Sequence, residues 1–295
     1  MVYDVIIAGA GSVGVPTALA LAEVGIKPLV IDMHPSPGQG ENKHAIGGIR
    51  ATHSTPGKIL VCRRSIELFS TWQQLQGDNI EWLQGGYVYP VYRPKDEKLL
   101  KGLLPAQKKH GLNINWIGPR EIKAQIPGIN SQDLRGGTLS PDDGSISPLL
   151  SINAFYRRAL ELGAEFRFNE TITKIICQKD SIVAVTTDKN RYSTGVVIDA
   201  AGPFSPELGR TVGVDLPIVP DSHEGAITEP VQPFFQCMVV DIRPAPGSKS
   251  YYFYQNQQGQ VIFCITPDPP IIGKDKRETS VFLPQVCARM VPVSY

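Results

Sequence analysis

The sequence predicts an α/β protein that opens on a strand–turn–helix–strand unit, and three observations predict it. Short apolar runs stand at Val5-Ile6-Ile7-Ala8 and at Pro28-Leu29-Val30-Ile31. Between them lies a glycine-rich turn, Gly9-Ala10-Gly11-Ser12-Val13-Gly14, followed by a helical pattern to about Val24. A third apolar run, Val196-Val197-Ile198, ends in Asp199-Ala200-Ala201-Gly202. The 295 residues are 42% hydrophobic and 19% charged, enough apolar content to fill the cores of two domains of about 150 residues each. That composition excludes a disordered chain. A net charge of +1 excludes the basic footprint of a nucleic-acid or anionic-membrane binder.

Taken in order, the first apolar run suits a strand buried on both faces. Gly9 permits the tight turn, Gly11 lets a pyrophosphate approach the backbone, and Gly14 lets helix and strand pack closely. Ala18 and Ala22 extend the small face from Gly14 at helical spacing. Pro16 falls in the first turn, where a missing N–H costs little. The free N–H groups and dipole of that helix end favour a phosphate. The second strand delivers Asp32, an acid about 20 positions on, where a ribose hydroxyl pair needs one. Together these features predict a Rossmann-like dinucleotide site.

Residues 5–22 carry no charge, yet Gly9, Gly11, Gly14, Ser12, Pro16 and Thr17 divide them, so no membrane span is expected. Met1-Val2-Tyr3-Asp4 offers no basic flank for a signal peptide. Cys62, Cys177, Cys237, Cys264 and Cys287 are scattered without a CxxC pair, which reads as thiols in a reducing compartment and no metal site. The expected location is cytoplasmic.

After Asp32 an ordinary NAD dehydrogenase would continue in regular strand–helix repeats. This chain runs instead through a Pro/Gly-rich loop, HPSPGQGENKHAIGGIRATHS. With DVIIAGAGSVG, SPDDGSISP, NAFYRRALELGAEF, VVIDAAG and ITEPVQPFF, the chain resembles the FAD-dependent amine and amino-acid oxidoreductases of the D-amino-acid oxidase type. Sarcosine oxidase, its multi-subunit beta chain, glycine oxidase and amino-acid dehydrogenases are the relatives it is similar to.

That resemblance implies an FAD cofactor whose diphosphate meets Gly9, Ala10, Gly11, Ser12, Val13 and Gly14. Asp32 would hold the adenosine ribose with Met33 beside the adenine, and the backbone of Ile172 would meet the adenine. Lys43, His44, Gly47 and Gly48 would approach the flavin ring. Ala200, Ala201 and Gly202 match a later FAD contact, followed here by Phe204. Arg50 matches an arginine that binds the substrate carboxylate, which a guanidinium grips with two parallel bonds. Tyr252, beside Tyr251 and Tyr254, falls where a pocket tyrosine covers the amine, although SYYFY alternates as a strand and places some rings in the core.

The implied reaction oxidises the C–N bond of a small amino acid or N-methyl amino acid by hydride transfer to flavin N5, giving an imine. It needs no catalytic residue of the protein. Monomeric sarcosine oxidases carry an oxygen-activating lysine in the strand after the tyrosines. Gln260-Val261-Ile262-Phe263-Cys264-Ile265 has none, which favours a dehydrogenase over an oxidase. The expected partners are an amino-acid substrate and an electron acceptor, oxygen or a redox protein, with a hetero-oligomeric complex as an option. A non-catalytic flavin-binding subunit is the alternative, and an NAD(P) dehydrogenase is disfavoured by the GGIR loop and the AAG strand end.

The resemblance also implies interleaved domains. The FAD-binding domain takes residues 1–84 and 142–217, including a helix at 149–162. An α+β substrate domain built on an antiparallel sheet takes 85–141 and 218–295, with its inner face over the flavin and an amphipathic helix at 99–110 on its outside. Lys274, Lys276 and Arg277, with Asp275 and Glu278, read as a solvated turn. A helix starts near Thr279. Relatives continue for several tens of residues beyond this point with a segment that returns to the FAD domain, so the expectation is a chain lacking that segment.

Overall fold

A computed structural model of the chain describes residues 2–274 and 278–290. Asp275, Lys276 and Arg277 of the expected basic turn, and residues 291–295, lie outside the described residues. The chain divides into two compact units, Met1–Ala45 with Pro148–Pro220, and Ile46–Ser147 with Asp221–Tyr295. The first crossing therefore comes well before the expected boundary at residue 84. Residues 46–84 join the second unit because the Pro56–Gln76 helix buries Ile59 and Ile66 against Leu112 and Ile114.

In the first unit, the described residues form a parallel sheet in the order Val197–Asp199, Ile6–Ala8, Leu29–Ile31, Glu165–Arg167. Every residue of the two central strands is buried, as expected for apolar runs covered on both faces. One covering layer is a meander of Ile172–Gln178, Ser181–Thr187 and Arg191–Thr194. Its Ile175, Val185 and Tyr192 pack with Ile6, Ala8, Leu29 and Ile31. The helices Gly14–Glu23 and Pro148–Glu161 pack on each other, the first also on Ile6–Ala8 and Leu29–Ile31. The predicted helix at 149–162 is the second of these.

The second unit is built on a seven-stranded sheet of the described residues. Its order is Gly225–Ile227, Val261–Pro267, Ser248–Gln255, Met238–Asp241, Tyr87–Val91, Gly136–Ser140, Asn115–Ile117. All neighbours run antiparallel except Met238–Asp241 beside Tyr87–Val91, the seam between the two chain excursions. One face carries Val88, Val239 and Phe253 against Ile122 and Ile126 of the Pro119–Gln125 helix and its end. Farther along it, Tyr251, Phe263 and Ile265 meet Phe282 and Val286 of the Phe282–Met290 helix. The expected amphipathic helix spans Pro94–Lys109. Leu100 packs with Tyr87, Tyr89, Met238 and Tyr254 on the opposite, tyrosine-bearing face, because its apolar stripe completes that cluster.

A small clasp closes the tyrosine-bearing side. Gly48–Ile49 pairs antiparallel with Gly144–Ser145, and Leu83 bridges Ser145 from beyond. A Cβ on Gly144 would lie 2.2 Å from the Leu83 carbonyl oxygen and 3.0 Å from Trp82 Cη2. Gly144→Ala is therefore expected to destabilise the protein by about 1–3 kcal/mol through overpacking, read as a lowered midpoint in thermal denaturation. Gly102→Ala, on an exposed helical site with open space around the added methyl, is the control and raises or preserves the midpoint.

Candidate functional site

The phosphate-binding turn sits where the parallel strands end. Ala8, Ile31 and Asp199 are in register at that edge. Gly9 leaves the strand with φ +104 and donates its N–H to the Ile31 carbonyl at 2.8 Å. A Cβ on Gly9 would lie 2.5 Å from the Ala200 carbonyl oxygen, and one on Gly14 would lie 1.8 Å from the Gly9 carbonyl oxygen. Both glycines are thus demanded by backbone packed on backbone. At Gly11 an added Cβ meets nothing within 4 Å, so the open side of the turn is there. The Gly14–Glu23 helix has no side-chain cap and no acid in its first turn. Its exposed N–H groups and dipole are left for an anion. These residues fit the diphosphate of a dinucleotide.

Asp32 follows the second strand, and the structure ties it back to the turn. Oδ2 accepts the Ala10 N–H at 2.6 Å, while Oδ1 accepts the His34 N–H at 2.8 Å and lies 2.8 Å from His34 Nδ1. The carboxylate therefore holds the glycine turn in place, and His34 is a neighbour that sequence reasoning missed. The signal available was its i+2 spacing from Asp32. Met33 is exposed. Ala200 donates to the Ala8 carbonyl at 2.9 Å and Ala201 to Asp199 Oδ1 at 2.9 Å, with Gly202 at φ +57. Ile172 opens a meander strand, half-buried against the cluster around Ile6. Lys43 and His44 lie on an exposed 3₁₀ turn, Glu41–His44.

The remaining candidates belong to the second unit, where Gly47 and Gly48 lead into Arg50. The segment 46–50 rests on two rows of the sheet's tyrosine face. The Ile46 carbonyl accepts from the Tyr254 hydroxyl. A Cβ on Gly48 would lie 2.1 Å from the Tyr87 hydroxyl oxygen and 2.7 Å from Met238 Cε. Arg50 lies near Tyr89, where its charge opposes the rise that burial imposes on the hydroxyl, and it donates from Nη1 to the Thr52 carbonyl. Met238 pairs with Tyr87, Val239 with Val88, and Val240 with Tyr252. Tyr89, Val240 and Tyr252 consequently share one row, with Tyr252 two strands and about 10 Å from Tyr89. Arg50 and Tyr252 are brought to the same face, whereas Tyr251 points to the other and is core.

Charge around Arg50 is arranged to keep it available. Among the described residues Arg50 is in no salt bridge. Burial first, then the Arg50 and Lys58 charges, push the His53 imidazole below its ordinary value. Burial raises the Tyr87 and Tyr89 hydroxyls, so both stay neutral donors. The Tyr252 hydroxyl is also raised, by burial and by its contact with Cys264. Asp143, fully buried nearby, is a second residue that sequence reasoning missed. Its doubled acid before a glycine reads as a surface turn, which is where Asp142 sits, bonded to Asn113 at 3.2 Å.

Comparisons with known proteins show what the whole chain is similar to. The chain is 25% identical over 235 residues to mitochondrial sarcosine dehydrogenase of Mus musculus, covering 78% of this chain and 26% of that protein. It is 27% identical over 220 residues to monomeric sarcosine oxidase of Streptomyces avermitilis, covering 73% of this chain and 56% of that protein. The chain thus spans about a quarter to about half the length of these curated relatives. The crystal structure of L-proline dehydrogenase from P. horikoshii superposes with a TM-score of 0.93 at 25% identity, covering 99% of this chain and 77% of that one. Gly14→Ala is expected to abolish retention of FAD through purification, because the new methyl cannot coexist with the Gly9 carbonyl. Absorbance in the blue measures it, and Gly195→Ala, with open space beside it and no positive φ, changes FAD retention little. The glycine turn, the acid that ties it and the match of residues 4–293 to the family described as FAD dependent oxidoreductase make this chain a member of the DAO family of FAD-dependent oxidoreductases.

Proposed function

We propose that the protein oxidises the C–N bond of a small amino acid or N-methyl amino acid, of the sarcosine, proline, glycine or D-amino-acid class. The observation that carries this reading is Arg50, half-buried, in no described salt bridge and near Tyr89 on the face that also presents Tyr252. FAD, when bound, supplies the hydride acceptor, and the resulting imine is hydrolysed by water. Gly9 to Gly14, Asp32, Met33, Ile172 and Ala200 to Gly202 are the residues that would hold FAD, with Lys43, His44, Gly47 and Gly48 toward its ring. The unit Met1–Ala45 with Pro148–Pro220 would be the FAD-binding domain, and the other the substrate domain.

Each side chain has a definite task in this reading. Arg50 grips the substrate carboxylate with its remaining N–H donors and fixes which face of the amino acid is presented. The Thr52 carbonyl holds the guanidinium. Tyr252 and Tyr254 supply an apolar wall whose hydroxyls are engaged, by Cys264 and by the Ile46 carbonyl, and so do not compete for the amine. Val261–Pro267 carries no lysine, which favours a dehydrogenase that passes electrons to a redox partner, within a hetero-oligomer or outside it. Relatives named both as dehydrogenase and as oxidase leave the acceptor to experiment. A cytoplasmic setting is part of the proposal, supported by five free cysteines. No described helix is long and apolar enough to cross a membrane.

Anaerobic addition of sarcosine, proline, glycine and D-alanine to the FAD-loaded protein tests the function. Bleaching of the flavin band by at least one is expected, and no bleaching by any member overturns the reading. Arg50→Met is expected to weaken binding of the active amino acid by about 10- to 100-fold, the loss of a charge-assisted bidentate pair. Admitting air after reduction separates the acceptors: slow return of the flavin band is expected, and rapid return with peroxide overturns the dehydrogenase assignment.

A further inference from the structure

The clasp that carries Arg50 contains a carboxylate with no cationic partner. Gly48 pairs with Ser145 and Ile49 with Gly144, so the next step of the antiparallel register sets Arg50 opposite Asp143. An acid facing an arginine ordinarily takes the guanidinium. Asp143 does not. Its Oδ1 accepts the Ala51 N–H at 2.8 Å and its Oδ2 accepts the Thr52 hydroxyl at 2.6 Å, with the side chain fully buried. Its own carbonyl accepts from Gly86 N–H at 2.8 Å, anchoring it to the strand that begins at Tyr87.

Burying a carboxylate without a cation is costly, and burial raises the Asp143 carboxyl above its ordinary value against the bonds from Ala51 and Thr52. The return is geometric. The two residues that follow Arg50 are held by one rigid group, and Thr52, whose carbonyl accepts from Arg50 Nη1, is held by its hydroxyl. Asp143 thus orients the guanidinium through the backbone and through Thr52, without neutralising it. We infer that Asp143 is a positioning residue for Arg50, fixing the carboxylate-binding guanidinium while leaving its charge for the substrate. This rests on the proposed role of Arg50 in binding an amino-acid carboxylate.

Two readouts on the 295-residue FAD-loaded chain separate the inference from that role. The first is hydrogen exchange in wild type, Asp143→Asn and Thr52→Val. Faster exchange confined to the peptide containing residues 49–53 is expected in Asp143→Asn, with a smaller effect in Thr52→Val. Unchanged exchange there, or acceleration spread over the whole second unit, overturns the pinning. The second is flavin reduction by proline and by pyrrolidine, the same ring without the carboxylate. Asp143→Asn is expected to weaken apparent proline binding about tenfold, with the limiting reduction rate changed less than about twofold and pyrrolidine unaffected. Equal losses for both compounds mark a merely structural role and overturn the inference. Should wild type be bleached by no amino acid, the role of Arg50 falls, and the exchange pattern still decides whether Asp143 pins the segment.

Discussion

The structure of the first unit depends on backbone packed against backbone at one point. Gly14 presses on the Gly9 carbonyl, and Gly9 presses on the Ala200 carbonyl, so the start of the first helix, the end of the first strand and the end of the last strand meet without a side chain between them. That triple contact sets how close the helix end comes to the sheet edge. It thereby sets where the helix dipole and its free N–H groups are aimed. Asp32 ties the same turn from the side through Ala10. The proposed cofactor binding and the stability of the fold therefore rest on the same residues, since those that leave the helix end open also close the sheet edge.

The second unit repeats the logic with a different partition. The tyrosine face carries a loop whose glycines let it lie flat, at Gly48 on Tyr87 and at Gly144 on Leu83. Polar side chains on this face bond mainly within the protein: Tyr254 to Ile46, Tyr252 to Cys264, and Asp143 to Ala51 and Thr52. Arg50 keeps most of its donors uncommitted. A half-buried positive group beside neutral phenols attracts an anion more strongly than the same group in water, because the local dielectric is lower.

Much of the first unit was legible because local rules and the tertiary contacts agree. The strand–glycine–helix–strand order, Asp32 and the Ala200-Ala201 strand end each follow from a short window of sequence, and their positions are those the windows suggest. The second unit was less legible. The seam between Met238–Asp241 and Tyr87–Val91 pairs segments far apart in the chain, so no local pattern announces it. For the same reason the boundary near residue 45 was missed: the Pro56–Gln76 helix has a weak apolar stripe, and its partners Leu112 and Ile114 lie after the next helix. The side taken by the Pro94–Lys109 helix also depends on which face collects the tyrosines. Asp143 was hidden by composition, since two adjacent aspartates differ only in burial.

The parallel seam has a consequence for how the protein is made. Tyr87–Val91 obtains one neighbour, Gly136–Ser140, soon after synthesis, but its other edge waits for Met238–Asp241. At about 5–20 residues per second on the ribosome, that edge stays open for about 7 to 30 seconds, with apolar and aromatic side chains destined for burial on both faces. An unpaired edge of this kind templates association with other chains. The first unit also receives its later segment, Pro148–Pro220, before the seam can form, so it has the means to assemble first. The order of events is thus written into the topology: the nucleotide-type half can close early, while the sheet that carries the tyrosine face keeps an open edge until Met238–Asp241 has emerged.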